Sequence, residues 1–378
     1  MKYYFIAGER SGDLHGSNLM KAITRLDASA EFRGMGGDQM EAAGMVSDGH
    51  YRELAFMGIM QVLFNIRKVA RRMNHCQASI TMFRPDAVVL IDYGGFNMRM
   101  ARWCREHGFR VHYYIAPKVW AWNTARTWRL KATVDRLFCI LPFEPDFFKQ
   151  FDWTVDYVGN PVLDAVRDFR KNADFATRHG LPPDGSVIAL LPGSRRGELK
   201  RIIPLMAEVV AQMPDHLFCV AAIREIPVDL YAPLRSFPNV RFVYDETYDL
   251  LDCSEAAVVT SGTATLETAL FRVPQVVVYK ASPLEYAIGR RVIKVDFISL
   301  VNLIAGRAVV QELLQEAATR EAVLTALKSL LNPGPTRNAV LIGYEEVHRK
   351  LDTGSASSNT AQLMAEDLRS SGSTWPGP

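Results

Sequence analysis

Three stretches carry residue types whose spacing could do chemistry. The first is VVTSGTATLETAL, Val258 to Leu270, an apolar strand end that runs into a small-residue turn and then a helix. Ser261, Gly262, Thr263 and Thr265 leave backbone N–H groups uncovered at that helix N-terminus, where the partial positive charge of the peptide dipoles favours a phosphate. Glu267 follows about one turn in, within reach of a ribose diol. Ser and Thr also cap helices that bind nothing, so cap and anion site both stand at this point. Glu267 does not lie three residues after a Ser or Thr, so no capping box is completed.

The second stretch is PGSRRGE, another strand-to-helix turn. Gly193 and Ser194 permit close backbone approach, and Arg195 and Arg196 offer charge to an oligophosphate. Two such turns in one half of the chain point to a nucleotide-diphosphate site. No GxxxxGK[ST] occurs, which excludes a P-loop NTPase. HExxH, EF-hand and Asp-x-Asp patterns are absent as well, so Arg and helix dipoles would neutralise a leaving diphosphate, and no metal or cofactor is expected.

The third stretch is DAVVLIDYGGFN, where Asp92 ends a buried strand beside two glycines. A carboxylate there could act as general base on a hydroxyl, or simply serve the turn. Glu9, Ser11 and Asp13 occupy the other strand-end loop of the same half, and His15 reads equally well as packed or solvated. Further on, Asn302 and Arg307 flank Ala305-Gly306 ahead of an expected amphipathic helix through VVQELLQ, where they could reach a phosphate or solvate a helix end.

These residues need strand ends to hold them, and the hydrophobic pattern supplies strands. Short apolar runs at 3–7, 86–91, 111–115 and 137–141 alternate with helical segments, and YVGNP at 157–161 closes the first half. After a polar stretch from Arg167 to Asp184 the alternation restarts, with runs at 187–191, 217–221, 240–243, 256–259 and 275–278. The pattern predicts an α/β protein of two Rossmann-like, doubly wound parallel-sheet domains, residues 1–166 and 167–350, with a ligand in the interdomain cleft at the carboxyl ends of the strands. Pro204 fits its helix only in the first turn. Residues 351–378, rich in Ser, Gly and Thr, read as a mostly disordered tail with a short helix at 361–368.

The glycines of GERSGDLHG are spaced by four, so the dinucleotide fingerprint GxGxxG is missing and a nicotinamide or flavin role loses its support. A net charge of +3 over 378 residues is too small to argue for nucleic acid but suits an anionic substrate or membrane surface. Five scattered cysteines without a CxxC pair read as buried thiols of a reducing compartment. With no signal-peptide core and no long uncharged apolar run, the expectation is a cytoplasmic or peripherally bound protein. Residues 57–72, MGIMQVLFNIRKVARR, read either as a core helix with a basic end or as an interfacial helix dipping into a bilayer.

Taken in order, AGERSGDLHG, MGIMQVL, PDAVVLIDYGGFN, YIAPKVWAW, ILPFEPDFF, YVGNPVLD, LLPGSRRGE, SGTATLETAL and NLIAGRAVVQELLQ resemble the lipid-A-disaccharide synthases, membrane-associated bacterial glycosyltransferases. The resemblance implies a GT-B architecture, with the acceptor mainly on the first domain and the UDP-sugar on the second. It implies condensation of UDP-2,3-diacylglucosamine with 2,3-diacylglucosamine 1-phosphate (lipid X) to a β-1,6-linked disaccharide 1-phosphate and UDP, with inversion, in lipopolysaccharide lipid A biosynthesis. A UDP-sugar epimerase of the same plan is the alternative, and an inactive nucleotide-sugar binding protein a third.

Under this resemblance Asp92, matching the family's ID-x-x-x-FN, is the catalytic base, and Glu9 is expected beside it as a second catalytic residue. Gly193, Ser194, Arg195, Ser261, Gly262, Thr263, Ala264 and Glu267 would hold the donor, Arg195 on the diphosphate and Glu267 on the ribose, with Asn302 and Arg307 nearby. Ser11, Asp13, Met57 and Gln61 fall on the acceptor side, while Met60, Leu63 and Phe64 would touch the cytoplasmic face of the inner membrane. A homodimer is compatible with this reading. Two departures stand out: Gln61 where many members have Glu, and Asn160 where many have His. Gln carries no charge, and Asn hydrogen-bonds without shuttling a proton near neutral pH.

Overall fold

The computed structural model describes residues 1–53, 66–182, 186–282, 286 and 295–370. The chain divides into two compact units, Met1–Pro161 together with the segment from Asp352 onward, and Val162–Leu351. Each is built on one wholly parallel sheet.

In the first unit the strands are β1 (Lys2–Ala7), β2 (Glu31–Gly36), β3 (Met45–His50), β4 (Ala87–Ile91), β5 (Val111–Tyr114), β6 (Arg136–Cys139) and β7 (Asp156–Tyr157), in the order β3-β2-β1-β4-β5-β6-β7. The central strands are apolar throughout because helices cover both faces. Tyr3 to Ala7 and Ala87 to Ile91 are all fully buried. One face is covered by α1 (Arg10–Leu26) and α2 (Asp38–Ala42), the other by α3 (Ile66–Phe83), α4 (Gly94–Glu106), α5 (Arg126–Thr133) and α6 (Glu144–Lys149). The helix expected from residue 57 is described only from Ile66; Met57, Met60, Gln61, Leu63 and Phe64 lie outside the described residues.

The C-terminal segment corrects an expectation. Residues 356–370 are not a disordered tail: Ala356–Ser370 is a helix that packs on α1. Its buried Ala361, Met364 and Leu368 join the core over β1 and β4, each large apolar side chain contributing about 1.5–3 kcal/mol of transfer free energy. Asp367 on this helix accepts from Arg110 Nε at 2.5 Å and Nη2 at 2.6 Å, and pairs with His112 Nε2 at 2.7 Å. Composition suggested disorder because Ser and Thr are polar; Ser357 and Thr360 nevertheless face inward.

The second unit has β8 (Val187–Leu191), β9 (Leu217–Ala222), β10 (Val240–Tyr244), β11 (Ser254–Thr260), β12 (Gln275–Tyr279) and β13 (Gln311–Leu314), in the order β10-β9-β8-β11-β12-β13. Its helices include α7 (Arg196–Ala211), α8 (Thr247–Asp252), α9 (Thr263–Leu270), α10 (Leu300–Ala305), α11 (Arg320–Leu331) and α12 (Pro335–Leu351). Two expectations change here. Pro204 sits inside α7, not in its first turn. QELL, expected in a helix, is the edge strand β13 paired to β12; four residues with one buried apolar side chain suit either period, and only the open edge of β12 selects the strand.

Candidate active site

Both sheets reverse their strand order beside the first strand, between β1 and β4 in one unit and between β8 and β11 in the other. In open parallel sheets ligands bind outside the carboxyl ends of the strands at such a reversal. In the second unit Leu191 pairs with Val259 in register, so PGSRRGE and SGTATLE leave neighbouring strand ends. The turns touch: a Cβ on Gly193 would lie 3.5 Å from Thr260 Cγ2, and Gly193 has φ +97°, where glycine is favoured.

Neither helix that starts there is capped by the side chain of its N-cap residue. Arg195 is the extended N-cap of α7, and Gly262 the N-cap of α9, without a side-chain cap in either case. The hydroxyls that could have capped α9 are used elsewhere. Ser261 donates to Ile298 O at 2.9 Å, and Thr265 donates to Gly262 O at 2.8 Å. Two positive helix ends therefore meet at one strand-order reversal, beside exposed Ser194 and Thr263 and half-buried Gly262 and Ala264. Arg195 is 73% exposed and, among the described residues, makes a long 3.7 Å pair with Glu198, an arrangement weak enough to be exchanged for a phosphate. Glu267, one turn into α9, accepts a 3.1 Å hydrogen bond from the Tyr248 phenol.

Asn302 and Arg307 do not extend this set as expected. Asn302 is buried with its amide fully committed: Nδ2 donates to Val310 O at 2.9 Å and Glu312 Oε1 at 2.8 Å, and Oδ1 accepts from Val309 N and Val310 N. Glu312 in turn accepts from Ile298 N and Ser299 N. Asn302 thus fixes the loop whose Ile298 carbonyl receives Ser261, and its own groups are spent. Arg307 pairs with Glu346 of α12 at 2.7 Å.

In the first unit Ala7 pairs with Ile91 in register, placing Glu9 and Asp92 on loops from adjacent strand ends. Asp92 has φ +43° and Tyr93 φ +48°, two successive non-glycine residues in the left-handed region, a costly turn of the kind that gathers at functional sites. The turn is pinned from three directions. Asp92 N donates to Tyr114 O at 3.1 Å, and Asp92 O accepts from Asn97 Nδ2 at 3.0 Å and from the Tyr113 phenol at 2.6 Å. The Tyr93 ring lies against Gly8, where a Cβ would meet it at 2.3 Å. Burial, with the Glu9 charge adding to it, pushes the Tyr93 phenol above its usual range.

Glu9 is the exposed N-cap of α1, and Ser11 is exposed in its first turn. Asp13 is corrected from an acceptor-side residue to a structural one. It is 2% exposed, and its carboxylate accepts from Gly37 N at 2.8 Å, Met40 N at 3.1 Å and Gln39 N at 3.1 Å, capping α2. His15 is packed, and burial lowers its pKa to about 4, so it is neutral at pH 7. Asn160 is buried and donates to Ile140 O at 3.1 Å. Among the described residues no three His, Cys, Asp or Glu side chains gather in a way that could hold a metal ion, and no helix is long and apolar enough to cross a membrane.

Comparison with known proteins decides what this geometry belongs to. A model of the lipid-A-disaccharide synthetase family matches residues 3–365. The lipid-A-disaccharide synthase of Geobacter sulfurreducens is 37% identical over 369 residues, covering 96% of each chain. That of Coxiella burnetii is 32% identical over 363 residues, covering 95% of this chain and 96% of the relative. The chain belongs to the lipid-A-disaccharide synthase family.

Membership makes the chain a glycosyltransferase of lipid A biosynthesis. Solved structures agree on the GT-B-type fold. A Neisseria meningitidis UDP-GlcNAc 2-epimerase bound to UDP-GlcNAc superposes with TM-score 0.66 at 13% identity, covering 98% of this chain and 100% of that one. The glycosyltransferase of kitacinnamycin superposes with TM-score 0.65 at 14% identity, covering 97% and 99%. The epimerase alternative therefore has only a shared fold behind it, whereas the synthase family is matched along the sequence. Sequence reasoning missed Tyr248, Tyr93 and Gly8 in this family member. Gly8 ends an apolar run and signals a turn, but nothing local shows which ring lies over it.

Proposed function

We propose that the chain transfers the sugar of UDP-2,3-diacylglucosamine to the 6-hydroxyl of 2,3-diacylglucosamine 1-phosphate (lipid X), with inversion, giving the β-1,6 disaccharide 1-phosphate and UDP. The second unit binds the donor. The observation that carries this reading is the meeting of the open N-termini of α7 and α9 at the β8/β11 reversal, with Arg195 at one and Glu267 one turn into the other. Arg195 faces the diphosphate, the backbone N–H groups from Ser261 to Ala264 and around Gly193 and Ser194 surround its oxygens, and Glu267 accepts from the ribose diol.

Asp92 takes the acceptor's proton. As the 6-oxygen attacks the anomeric carbon, the bond from that carbon to the diphosphate breaks, and UDP leaves with the electron pair. Arg195 and the two helix ends stabilise the charge it carries away. The pinned turn at Asp92 holds the carboxylate in one place, as a base in hydrogen-bond reach of a hydroxyl requires. Glu9, on the adjacent strand end, helps orient the acceptor with Ser11, Met57 and Gln61. Because both substrates are acylated, the enzyme works at the cytoplasmic face of the inner membrane, with Met60, Leu63 and Phe64 as apolar contacts; a homodimer is compatible with this.

The test is UDP release from the acylated donor, with and without lipid X. Release that depends on lipid X supports the transferase. Interconversion of the donor's sugar without any acceptor would favour an epimerase, and UDP binding without turnover an inactive binding protein.

A further inference from the structure

Glu144 is a buried acid, 1% exposed, at the carboxyl end of β6, the same end of the sheet at which β4 delivers Asp92. It opens α6, and its carboxyl group turns back on the strand end: Oε2 accepts from Ile140 N at 3.0 Å and from Leu141 N at 2.9 Å. Those two bonds are local and close the turn into α6. The third bond is not local. Oε1 accepts from the Trp120 indole Nε1 at 3.0 Å, and Trp120 belongs to the loop that leaves β5. Burying an acid this deeply is costly, and each buried N–H beside it needs a partner. A carboxyl group supplies what an amide cannot, two acceptor oxygens for these converging donors.

The loop that leads to Trp120 runs against the Asp92 turn. β5 lies next to β4, and Tyr114 O at its end accepts from Asp92 N at 3.1 Å. Ile115, with φ +65°, redirects the chain. Pro117 then meets the start of α4: a Cβ on Gly94, two residues after Asp92, would lie 3.1 Å from Pro117 Cβ. Val119 is buried in the same apolar core as Phe96 and Met100 of α4. At the far end the Trp120 ring meets Phe143 edge-on at 4.9 Å, and its N–H is held by Glu144. Asn160, beyond β7, ties in by donating to Ile140 O at 3.1 Å. The ends of β4, β5, β6 and β7 are thus linked in one line, from Asp92 through Pro117 and Trp120 to Glu144 and Asn160.

We propose that Glu144 is a positioning residue for the transfer: through Trp120 it holds the 115–120 loop against the Asp92 turn and so fixes the base relative to the acceptor hydroxyl. This rests on the reading of Asp92 as the base. Asp92 and Tyr93 both lie in the left-handed region, a turn that persists only where its surroundings over-determine it. The bond between Glu144 and Trp120 supplies one such constraint, because it stops the loop at Pro117 from lifting away. Glu144 is buried and acts through the loop, not on the substrate, as the supporting shell of a precise site does.

The experiment is a double-mutant cycle on steady-state turnover of UDP-2,3-diacylglucosamine with lipid X, using the full chain. Trp120→Phe keeps an aromatic ring beside Phe143 and deletes the N–H that reaches Glu144, leaving the two local bonds of Glu144 in place. Its kcat should fall roughly tenfold, less than the penalty for a full 1 Å displacement of a reacting group, with the donor KM unchanged. In an Asp92→Asn background, where no base remains to be placed, the same substitution should cost less than about twofold. Gly94→Ala presses on Pro117 from the other side without altering Trp120 or Glu144. It should show the same pattern with a smaller loss, and it keeps the test decisive if Trp120→Phe folds poorly. A purely structural role would lower the folded fraction, and so the rate, by the same factor in both backgrounds; that result overturns the proposal. Near-native turnover of the variants that fold, beside a slow Asp92→Asn, also overturns it and leaves Asp92 as the base. Near-native turnover of Asp92→Asn removes the base assignment, and the positioning role with it.

Discussion

The Tyr248 phenol donates to Glu267 Oε1 at 3.1 Å while its ring packs against Phe271, 5.1 Å between centroids. A second ring, Phe169, closes on both at 5.8 and 5.4 Å. The aromatic packing fixes the phenol, and the phenol fixes the carboxylate assigned to the ribose. Burial pushes the Tyr248 phenol far above its usual range, so it stays a donor at any working pH.

Tyr248→Phe keeps the ring packing and deletes the hydrogen bond, which is worth about 0.5–1.5 kcal/mol. UDP affinity should fall roughly 3- to 10-fold, and the preference for UDP over 2′,3′-dideoxy-UDP should shrink. Titration calorimetry with both nucleotides measures this. A preference unaffected by Tyr248→Phe but lost in Glu267→Gln would show that the phenol plays no part in placing the carboxylate.

Asp92→Asn should lower kcat by roughly 10²- to 10⁴-fold, the range for losing a general base, with UDP affinity unchanged. The pinned turn is held by main-chain groups and by Asn97 and Tyr113, so the amide should occupy the same place. A variant with near-native turnover would remove Asp92 from the base role.

Gly8→Ala places a methyl within 2.3–2.6 Å of three Tyr93 ring atoms. The ring must move, and the turn at Asp92 moves with it. Displacement of a reacting group by about 1 Å costs on the order of 100-fold, so turnover should fall steeply while donor binding on the other unit is spared. Equal turnover in the alanine variant would mean that the contact between Gly8 and Tyr93 has no bearing on the chemistry.

Acid should loosen the C-terminal helix. Arg110 and His112 hold the Asp367 carboxyl well below the usual carboxylate range, against the opposing effect of burial. A depressed carboxylate contributes stability above its unfolded pKa, and that stability is lost as pH falls toward the folded pKa. Burial also lowers the His112 pKa, so this neutral histidine begins to cost stability once pH drops below about 6.5, its unfolded value. Both signs agree but act in different windows, the histidine between pH 7 and about 4 and the carboxylate below about 4, so melting temperature should fall from pH 7 down to about pH 2. Asp367→Asn should flatten the part below about pH 4 and cost about 2–4 kcal/mol at pH 7, toward the low side of the cost of breaking a buried pair because Arg110 is partly exposed. Thermal melts across that pH range are the measurement, and parallel profiles for the two proteins would rule out this cluster as the acid-sensitive element.

The sequence by itself determined the parallel strands, because uninterrupted apolar runs such as YYFIA and AVVLI can be buried on both faces only in a sheet flanked by helices. It also singled out the loops proposed to hold the substrates, since PGSRRGE, SGTATLE and DYGGFN combine glycine with charge at strand ends, and nine ordered motifs named the family. It could not allocate partners. Asp13, Asn302 and Glu267 are all polar groups near glycine turns, and nothing local separates them. The tertiary structure spends Asp13 on three N–H groups at the start of α2 and Asn302 on Val309, Val310 and the Glu312 carboxylate of β13, and leaves Glu267 beside a phenol from another helix. Those decisions depend on which backbone groups from elsewhere in the chain arrive unpaired at a given spot. For the same reason the polar C-terminal residues became a packed helix: the apolar surface of α1 and the Arg110 and His112 side chains that receive it lie more than two hundred residues away in the sequence.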